Sequence, residues 1–516
     1  MSQSWSLHEG AGCGVVSPSG RTPYGLELMD TLPNTLMHTA VQTAMLPLAV
    51  DLDGTLVRVD TLHEGLITRL RQGPAQAWQT VVALRGGKVA FKRHIASGAA
   101  TDPALLPYDA KVLDYLRQQH ALGRRLGLFT AADQSIADGV ADHLGLFEVA
   151  RGSHGSCNLA GAAKAAAIET AFGTAYAYAG DSLADVPVFL QARQVVLAGS
   201  MARAGATLPE GVTVEARLVR ERAGLLTWTR ALRLPHWAKN ALVFVSPLLG
   251  AHWAQSVGPA VLLFVLIGVL ASATYLLNDA LDLQADRRHA AKRLRPMAAG
   301  VIPVRDGLAV AAVLALLALG AGALLLPRAV SMCLVAYLVI TVVYSTVCKR
   351  VPMLDITVLA GLFTLRILAG NGIMAQPVSP WLLTFSMLFF LGLAATKRFA
   401  ELDRVVREAE QAGPGTVRGY GAADLPVLLA TGVASGIAAI AVFMVYLVSD
   451  QYPRDVYADP GMLWGIMPVL LMWTLRMWHL CVHGRLREDP VVFATTDRVS
   501  WVLGVAALSV LVLARL

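Results

Sequence analysis

The second half of this chain is a succession of long apolar runs, more than a soluble fold can absorb. Nine stretches have the length and hydropathy of a bilayer span: 240–256, 258–277, 307–326, 329–347, 354–372, 380–396, 426–448, 461–480 and 499–515. A helix needs about 20 apolar residues to cross a ~30 Å hydrocarbon core. The first run is the weakest, because Pro247, Gly250 and His252 interrupt it. The loops 278–306, 348–353, 397–425 and 481–498 together hold 16 Lys/Arg, whereas the intervening loops hold only Arg328 and Arg454. Basic excess marks cytoplasmic loops. Nine spans then leave everything before residue 240 in the cytoplasm, and the chain is expected to be an integral inner (cytoplasmic) membrane protein.

Composition agrees. Hydrophobic residues make up 55% and charged residues 15%, against about 25% charged in soluble domains. That excludes a disordered tail protein and argues against a wholly soluble globule. The net charge of +7 is explained by the basic loops, and no nucleic-acid-binding motif accompanies it. Five scattered cysteines with no CxxC spacing argue against a disulfide framework or a zinc site.

The first half follows different physics. Residues 1–45, rich in Gly, Ser, Thr and Pro, read as a disordered leader without an export signal. From 46 to 200, apolar strands (PLAVDLDGTL, ALGRRLGLFTAAD, AYAYAGDS) alternate with amphipathic stretches (DAKVLDYLRQQ, QSIADGVADHLG). That alternation predicts a cytoplasmic, Rossmann-like α/β domain with a parallel sheet. Ligands bind such sheets beyond the carboxyl ends of the strands. Residues 201–224 read as a linker, and 225–516 as an all-α transmembrane domain.

DLDGT places Asp51, Asp53, Gly54 and Thr55 at a strand end. Phosphoryl transfer needs a nucleophile, a cation to neutralise charge and an acid for the leaving oxygen. Two carboxylates two residues apart can divide this work, with Asp51 attacking phosphorus and Asp53 protonating the leaving oxygen. Gly54 permits the sharp turn. Thr130 ends the next strand and can bond a phosphoryl oxygen. Lys164, early in a helix, can balance the phosphoryl charge, and Asp181 and Asp185 in GDSLAD suit Mg²⁺. In this order the four motifs resemble the haloacid-dehalogenase superfamily. The resemblance implies a phosphomonoesterase with Mg²⁺ held by Asp51, Asp53, Asp181 and Asp185. It also implies a small cap at about 60–108, where Gly86, Gly87, Lys88, Lys92 and Arg93 either hold an anionic substrate or form a solvated face. A degenerate phosphate-binding domain is the plainer alternative.

In the membrane half, the second span runs into NDALDLQADRRHAAKRLRP. On a helix, Asp279, Asp282 and Asp286 share one face, with Asn278 at the same edge. Three carboxylates on one face repel unless a cation is present, and they suit Mg²⁺ bound to a diphosphate. Arg287, Arg288, Lys292, Arg293 and Arg295 follow and can contact phosphate oxygens. Two spans later, Tyr344, Lys349, Arg350 and Asp355 bracket a membrane edge. Arg366 lies inside the fifth span, where a charge is costly and marks a functional candidate. Lys397, Arg398 and Glu401 occupy the next cytoplasmic edge. For Lys349 and Lys397, snorkelling is the plain alternative. Gly361 and Gly370 read as close-packing positions.

NDALDLQAD resembles the aspartate-rich motif of the UbiA superfamily of intramembrane prenyltransferases, which implies nine helices around a cavity facing the cytoplasm. More narrowly, NDALDLQADRRHAAKRLRP, LDITVLAGLFTLRILAG, ATKRFAEL and REDPVVFATTDRVS resemble its decaprenyl-phosphate phosphoribosyltransferase branch, over roughly 225–516. That resemblance implies Mg²⁺ and diphosphate on Asn278, Asp279, Asp282 and Asp286. It carries over Lys349, Asp355, Arg366, Lys397 and Arg398 as further substrate-binding residues. Lys239 and Asn240 join them from the opening segment, which reads Arg233-Leu-Pro-His-Trp-Ala-Lys239-Asn240 where the family has RPxQWxKN.

Together these features predict a bifunctional enzyme with Mg²⁺ at both sites. The membrane domain would transfer 5-phosphoribose from phosphoribosyl pyrophosphate to a polyprenyl phosphate. The fused phosphatase would remove the 5-phosphate, giving polyprenyl-phosphoryl ribose for cell-envelope sugars. A homo-oligomer is compatible with the sequence. The rival readings are an aromatic prenyltransferase using a prenyl diphosphate and a transporter regulated by its phosphatase domain.

Overall fold

The computed structural model describes residues 45–98, 102–155, 157–199, 201–203, 213–249, 253–374, 377–409, 419–449, 457–486 and 489–516. The expected leader lies outside these residues except at its last position.

The soluble half is built on six parallel strands in the order β3-β2-β1-β4-β5-β6. They are β1 (Leu48–Val50), β2 (Leu126–Asp133), β3 (Val149–Ser153), β4 (Ala177–Gly180), β5 (Gln194–Gly199) and β6 (Val214–Val219). Central strands buried on both faces read as unbroken apolar runs, and all three residues of β1 are fully buried. Leu48 and Val50 pack on one face with Leu116 and Val140. Ala49 turns to the other face, with Ile168, Tyr178 and Phe189. β6 corrects the expected domain boundary, because it pairs with β5 from Val195↔Val214 to Gly199↔Val219. The sheet therefore continues through what the sequence suggests is linker. The polar alternation of β6 (VEARLV) marks an edge strand rather than a buried one, so it lacks the apolar signal of β1.

Four α-helices separate β1 from β2, and the first three form an insertion: α1 (Thr61–Arg71), α2 (Pro74–Ala83) and α3 (Gly87–Gly98). Asp60 starts α1 by accepting from the Leu62 and His63 amides, the usual role of an N-cap carboxylate. The sheet is flanked by α4 (Ala110–Ala121), α5 (Gln134–Leu144) and α6 (Ala162–Phe172).

A short helix, α7 (Leu225–Leu232), leads to the membrane half. There follow α8 (Trp253–Leu281), α9 (Val304–Leu325), α10 (Arg328–Thr346), α11 (Leu354–Ile373), α12 (Pro380–Ala409), α13 (Leu425–Val448), α14 (Ile466–Val482), α15 (Pro490–Thr496) and α16 (Arg498–Leu513). Among the described residues, seven helices are long and apolar enough to cross a membrane. The count is eight if α15 and α16, bent by 85°, form one span. The first expected span, 240–256, is not such a helix in its described part. Its described part is a 3₁₀ stretch, Leu234–Phe244, followed by the short helix Val245–Leu249. This segment still runs deep into the bundle. Arg233 pairs with Asp279 at one end. Ser246 Oγ donates to the Ile367 carbonyl, and Arg515 donates to the Leu248 carbonyl at the other end. Gly370 makes the fit possible, since a Cβ there would lie 2.1 Å from the Val243 carbonyl oxygen. Gly361, expected to act likewise, has nothing within 4 Å of its Cβ position.

The two halves meet along one face of α1. Glu64, Ile67 and Arg71 recur at helical spacing. Arg287 donates to both Glu64 oxygens, at 2.7 and 2.6 Å, and to the Ala298 carbonyl at 2.9 Å. Ile67 packs on the cluster containing Ala280, Leu283 and Met297. Arg71 reaches Asp282 at 3.1 Å. Beside this face, Gly300 (φ +66°) approaches so closely that a Cβ would lie 2.8 Å from the Arg58 Cβ. Glu64 and Arg287 are both buried, 4% and 6% exposed, and removing one partner of such a pair costs about 3–5 kcal/mol. Glu64→Ala is therefore expected to speed amide exchange in 61–71 and 283–302 while leaving the β1–β5 amides protected. Unchanged exchange in those segments would show that the docking does not depend on this pair.

Candidate active sites

In the soluble half, Asp51 follows β1 and accepts from Lys164 Nζ at 2.8 Å. The same ammonium donates to Tyr178 OH at 3.0 Å and to Asp185 Oδ1 at 3.1 Å. Tyr178 OH donates to Asp185 Oδ1 at 2.7 Å, and Ser182 Oγ donates to Asp185 Oδ2 at 3.1 Å. One oxygen each of Asp51, Asp181 and Asp185 lies within 4.8 Å of the others. Burial pushes Asp51 up to about 6 despite Lys164, with Asp185 adding repulsion. Burial, then Asp51 and Asp185, push Asp181 up to about 7. Burial works against charge on Lys164, but the two carboxylates outweigh it and raise its value. One ammonium thus faces three carboxylates, and such hard oxygen donors fit Mg²⁺.

Asp53 departs from the expected metal set. Its carboxylate turns away and accepts from Thr61 N at 2.9 Å and Thr61 Oγ1 at 3.2 Å. Burial, then Asp60, push it up to about 8. Gly54 sits at φ +76°, and a Cβ there would lie 2.4 Å from Asp181 Oδ2, so both its backbone and its lack of a side chain are required. Thr130 is fully buried, and its Oγ1 accepts from Ala132 N at 3.0 Å. Lys92 from α3 bonds the Ala131 carbonyl and Asn158 Oδ1, both at 2.6 Å. Arg220 carried no sequence signal. It clamps the turn by donating to the Gly54 carbonyl and Asp109 Oδ2, both at 2.8 Å. These carboxylates, Thr130 and Lys164 line a cavity of about 890 Å³. Its far wall comes from the membrane half, as Trp228 and the stretch Gly300–Asp306.

In the membrane half, α8 stops at Leu281 and a short helix resumes at Leu283. The bonds Asp282 N→Asn278 O (2.9 Å) and Asp286 N→Asp282 O (2.8 Å) preserve the helical register across the break. Cations interleave the three aspartates. Asp279 pairs with Arg233 and with Arg295 at 3.2 Å. Asp286 pairs with Arg295 at 2.6 Å. Asp282 holds Lys349 at 2.8 Å and Arg71 at 3.1 Å. Lys349 also donates to Asn278 Oδ1 at 3.1 Å. Among the described residues this trio does not converge as tightly as Asp51, Asp181 and Asp185 do.

A second polar group surrounds the opening segment. Lys239 and Lys397 share Asp489, at 2.7 and 2.8 Å. Arg366 is buried and donates to Asn240 Oδ1 (3.0 Å), Tyr337 OH (3.0 Å) and the Leu362 carbonyl (2.6 Å). Among the described residues no carboxylate bonds it. Asn240 Nδ2 and His236 Nδ1 are buried without a hydrogen-bond partner.

Other expected ligands are used structurally. Arg287, expected on phosphate, is spent on Glu64. Asp355 and Arg398 satisfy each other at 2.6 Å in full burial, with Tyr420 and Glu401 completing the group. Tyr344 is half-buried. Lys292 and Arg293 sit on a partly exposed 3₁₀ turn. Asp489 and Tyr337 escaped sequence reasoning. Asp489 stood in the quoted DPVVFATTDR stretch, whereas Tyr337 is one aromatic residue among many in an apolar run.

A family model described as the UbiA prenyltransferase family matches residues 241–513. The chain belongs to that family, and its membrane half is a UbiA-type helical domain. Among its relatives is the "Uncharacterized protein y4nM" of Sinorhizobium fredii, 39% identical over 473 residues and covering 91% of each chain. That alignment necessarily includes both halves. The "Decaprenyl-phosphate phosphoribosyltransferase" of Mycobacterium tuberculosis is 30% identical over 283 residues, 54% of this chain and 90% of that one. A solved UbiA homolog from Archaeoglobus fulgidus, described as bound to DMAPP and Mg²⁺, has 16% identity and a TM-score of 0.42. It covers 55% of this chain and 99% of its own.

The acidic trio yields a direct test. Mg²⁺ at 100 times its Kd is expected to stabilise the soluble half by about 2.7 kcal/mol, read as a rise in its thermal unfolding temperature. Asp181→Asn relieves repulsion, so metal-free stability is expected to hold or rise while the Mg²⁺-induced shift disappears. An equal shift in the variant would remove Asp181 from the metal set.

Proposed function

We propose that the chain is a bifunctional membrane enzyme. Its UbiA-type half moves 5-phosphoribose from phosphoribosyl pyrophosphate to a polyprenyl phosphate. Its soluble half, a haloacid-dehalogenase-type phosphatase, removes the 5-phosphate from that product. The observation that carries this reading is the shared cavity. A phosphatase pocket walled by Gly300–Asp306 and Trp228 of the membrane half suits a phosphomonoester anchored in lipid. The y4nM relative, which aligns across both halves, supports treating them as one working unit.

The second polar group favours an anionic acceptor over a neutral aromatic ring. Two lysines share one carboxylate, and among the described residues Arg366 has none. A lipid phosphate would supply the missing negative charge and partners for Asn240 Nδ2 and His236 Nδ1. Its oxygen attacks the anomeric carbon as the bond to pyrophosphate breaks. Asn278, Asp279, Asp282 and Asp286, with their cations, would hold the diphosphate. In the soluble half, Asp51 attacks phosphorus and Asp53 gives its proton to the ribose oxygen as the ester bond breaks. Water then hydrolyses the aspartyl-phosphate, with Asp53 taking the proton back. Thr61 orients Asp53, and Thr130 and Lys164 hold the phosphoryl oxygens. Mg²⁺ at either site supplies charge neutralisation.

This reading also takes nine crossings and a cytoplasmic soluble half. The seven long helices, the α15–α16 pair and the irregular 234–249 segment would make up the nine crossings, and the bias of the basic loops supports the orientation. A 3₁₀ stretch of 11 residues followed by a five-residue helix spans roughly 30 Å.

The test uses the full chain in detergent with Mg²⁺, polyprenyl phosphate and ribose-labelled phosphoribosyl pyrophosphate. The expected product is an unphosphorylated ribosyl lipid, with Asp51→Asn stopping at the 5-phosphate. Asp282→Asn is expected to slow label transfer by about 100-fold or more, as loss of a charge-stabilising group does. Release of 5-phosphate by Asp51→Asn would sink the phosphatase role. Unlabelled lipid with consumption of a prenyl diphosphate and an aromatic acceptor would replace the donor. Uptake into sealed vesicles without chemical change would point to transport.

A further inference from the structure

The helix α1 touches both candidate sites. Its first residue, Thr61, holds Asp53 by two hydrogen bonds. Its last, Arg71, bonds Asp282. Eleven residues of helix put these ends about 15 Å apart. A residue of the soluble half therefore stands among the aspartates of the membrane half.

Docking does not need it there. The junction is already closed by the buried Glu64–Arg287 pair, the Ile67 contact and Gly300. Asp282 does not need it either, since Lys349 bonds both its oxygens at 2.8 Å. Arg71 adds only an ion pair at 3.1 Å, and its side chain remains 24% exposed. Arg350 lies close enough to repel it. Lys349 and Arg71 thus share the Asp282 carboxylate at the mouth of the site, with Arg350 and Asp286 also within reach of Arg71. A guanidinium offers several donors in a planar fork suited to phosphate oxygens, and most of that fork is unspent here.

We propose that Arg71 is a diphosphate-binding residue of the transferase site, delivered by the soluble half. A divalent cation on Asp282 would repel Arg71 from the carboxylate, and the oxygens of a bound diphosphate are the nearest alternative. The transferase site would then be complete only while α1 is docked. The inference rests on reading the aspartates as a diphosphate site, but not on which diphosphate is the donor.

The test uses the full chain and inorganic pyrophosphate with Mg²⁺, followed by calorimetry, beside the label-transfer kinetics above. Arg71→Ala is expected to weaken pyrophosphate binding about tenfold or more, as loss of a charge-assisted phosphate bond does. The KM for the donor should rise more than kcat falls. Arg71→Lys should recover part of the affinity, because it restores the charge without the fork. Hydrolysis of p-nitrophenyl phosphate by the soluble half should be unchanged in both variants, which reports that they fold and stay competent. Pyrophosphate affinity equal to that of the parent protein would reduce Arg71 to a docking contact and overturn the proposal. So would an absence of pyrophosphate binding in the parent, or loss of both activities in both variants. If the parent transfers no ribose yet Arg71→Ala still loses pyrophosphate affinity, the donor assignment fails and this inference stands.

Discussion

A single ion pair fixes how the two halves of this chain stand. Glu64 and Arg287 are withdrawn from water, and burying two charges is repaid only by close geometry and full hydrogen bonding. Both conditions hold: Arg287 spends its fork on both Glu64 oxygens and its Nε on the Ala298 carbonyl. Such a pair adds little net stability over an apolar contact, but it strongly penalises any other docking register. Everything at the boundary follows from that register. It aligns Ile67 with its apolar patch, brings Gly300 against Arg58, and turns the stretch Gly300–Asp306 into a wall of the phosphatase-like cavity.

The two sites are electrostatic opposites. In the soluble half one lysine faces three carboxylates, two of them buried and Asp181 half-buried, and burial with mutual repulsion pushes Asp51 and Asp181 upward. A cation relieves that site. Around the opening membrane segment the imbalance is reversed, with Lys239, Lys397 and Arg366 set, among the described residues, against Asp489. An anion relieves that one. The aspartate cluster lies between these extremes, its carboxylates already interleaved with arginine and lysine.

Much of this could be read from the sequence, because the strongest signals are local. β1 is a three-residue apolar run that leads into Asp51, and the long hydropathic stretches match seven long helices and the bent α15–α16 pair among the described residues. What escaped depends on long-range pairing. β6 alternates polar and apolar residues because it sits at a sheet edge, so no buried run announced it. Arg287 looked like a phosphate ligand beside Arg288 and Arg295. Only a partner 223 residues away in sequence, Glu64, assigns it to docking. Asp355 and Arg398 looked like open site residues but neutralise each other in full burial. Asp53 could not be separated from Asp51 by spacing alone, and the Thr61 bonds are what divide them. Glu64, Ile67 and Arg71 do form a visible helical face, but an acidic, an apolar and a basic residue together carry no amphipathic signal.

The close approach at Gly300 works as a gauge. No side chain fits between it and Arg58, Val59 and Pro107, and its positive φ makes substitution costly as well. The gap between the soluble half and the top of α9 is thus set by contact of main chain with side chain, with no compliant layer between them. A rigid gap of this kind fixes the height of the cavity above the helix ends. Were the substrate anchored in lipid, as proposed, it would have to present its phosphate at that height, and the junction would select by the length of the headgroup before any residue in the pocket reads its chemistry.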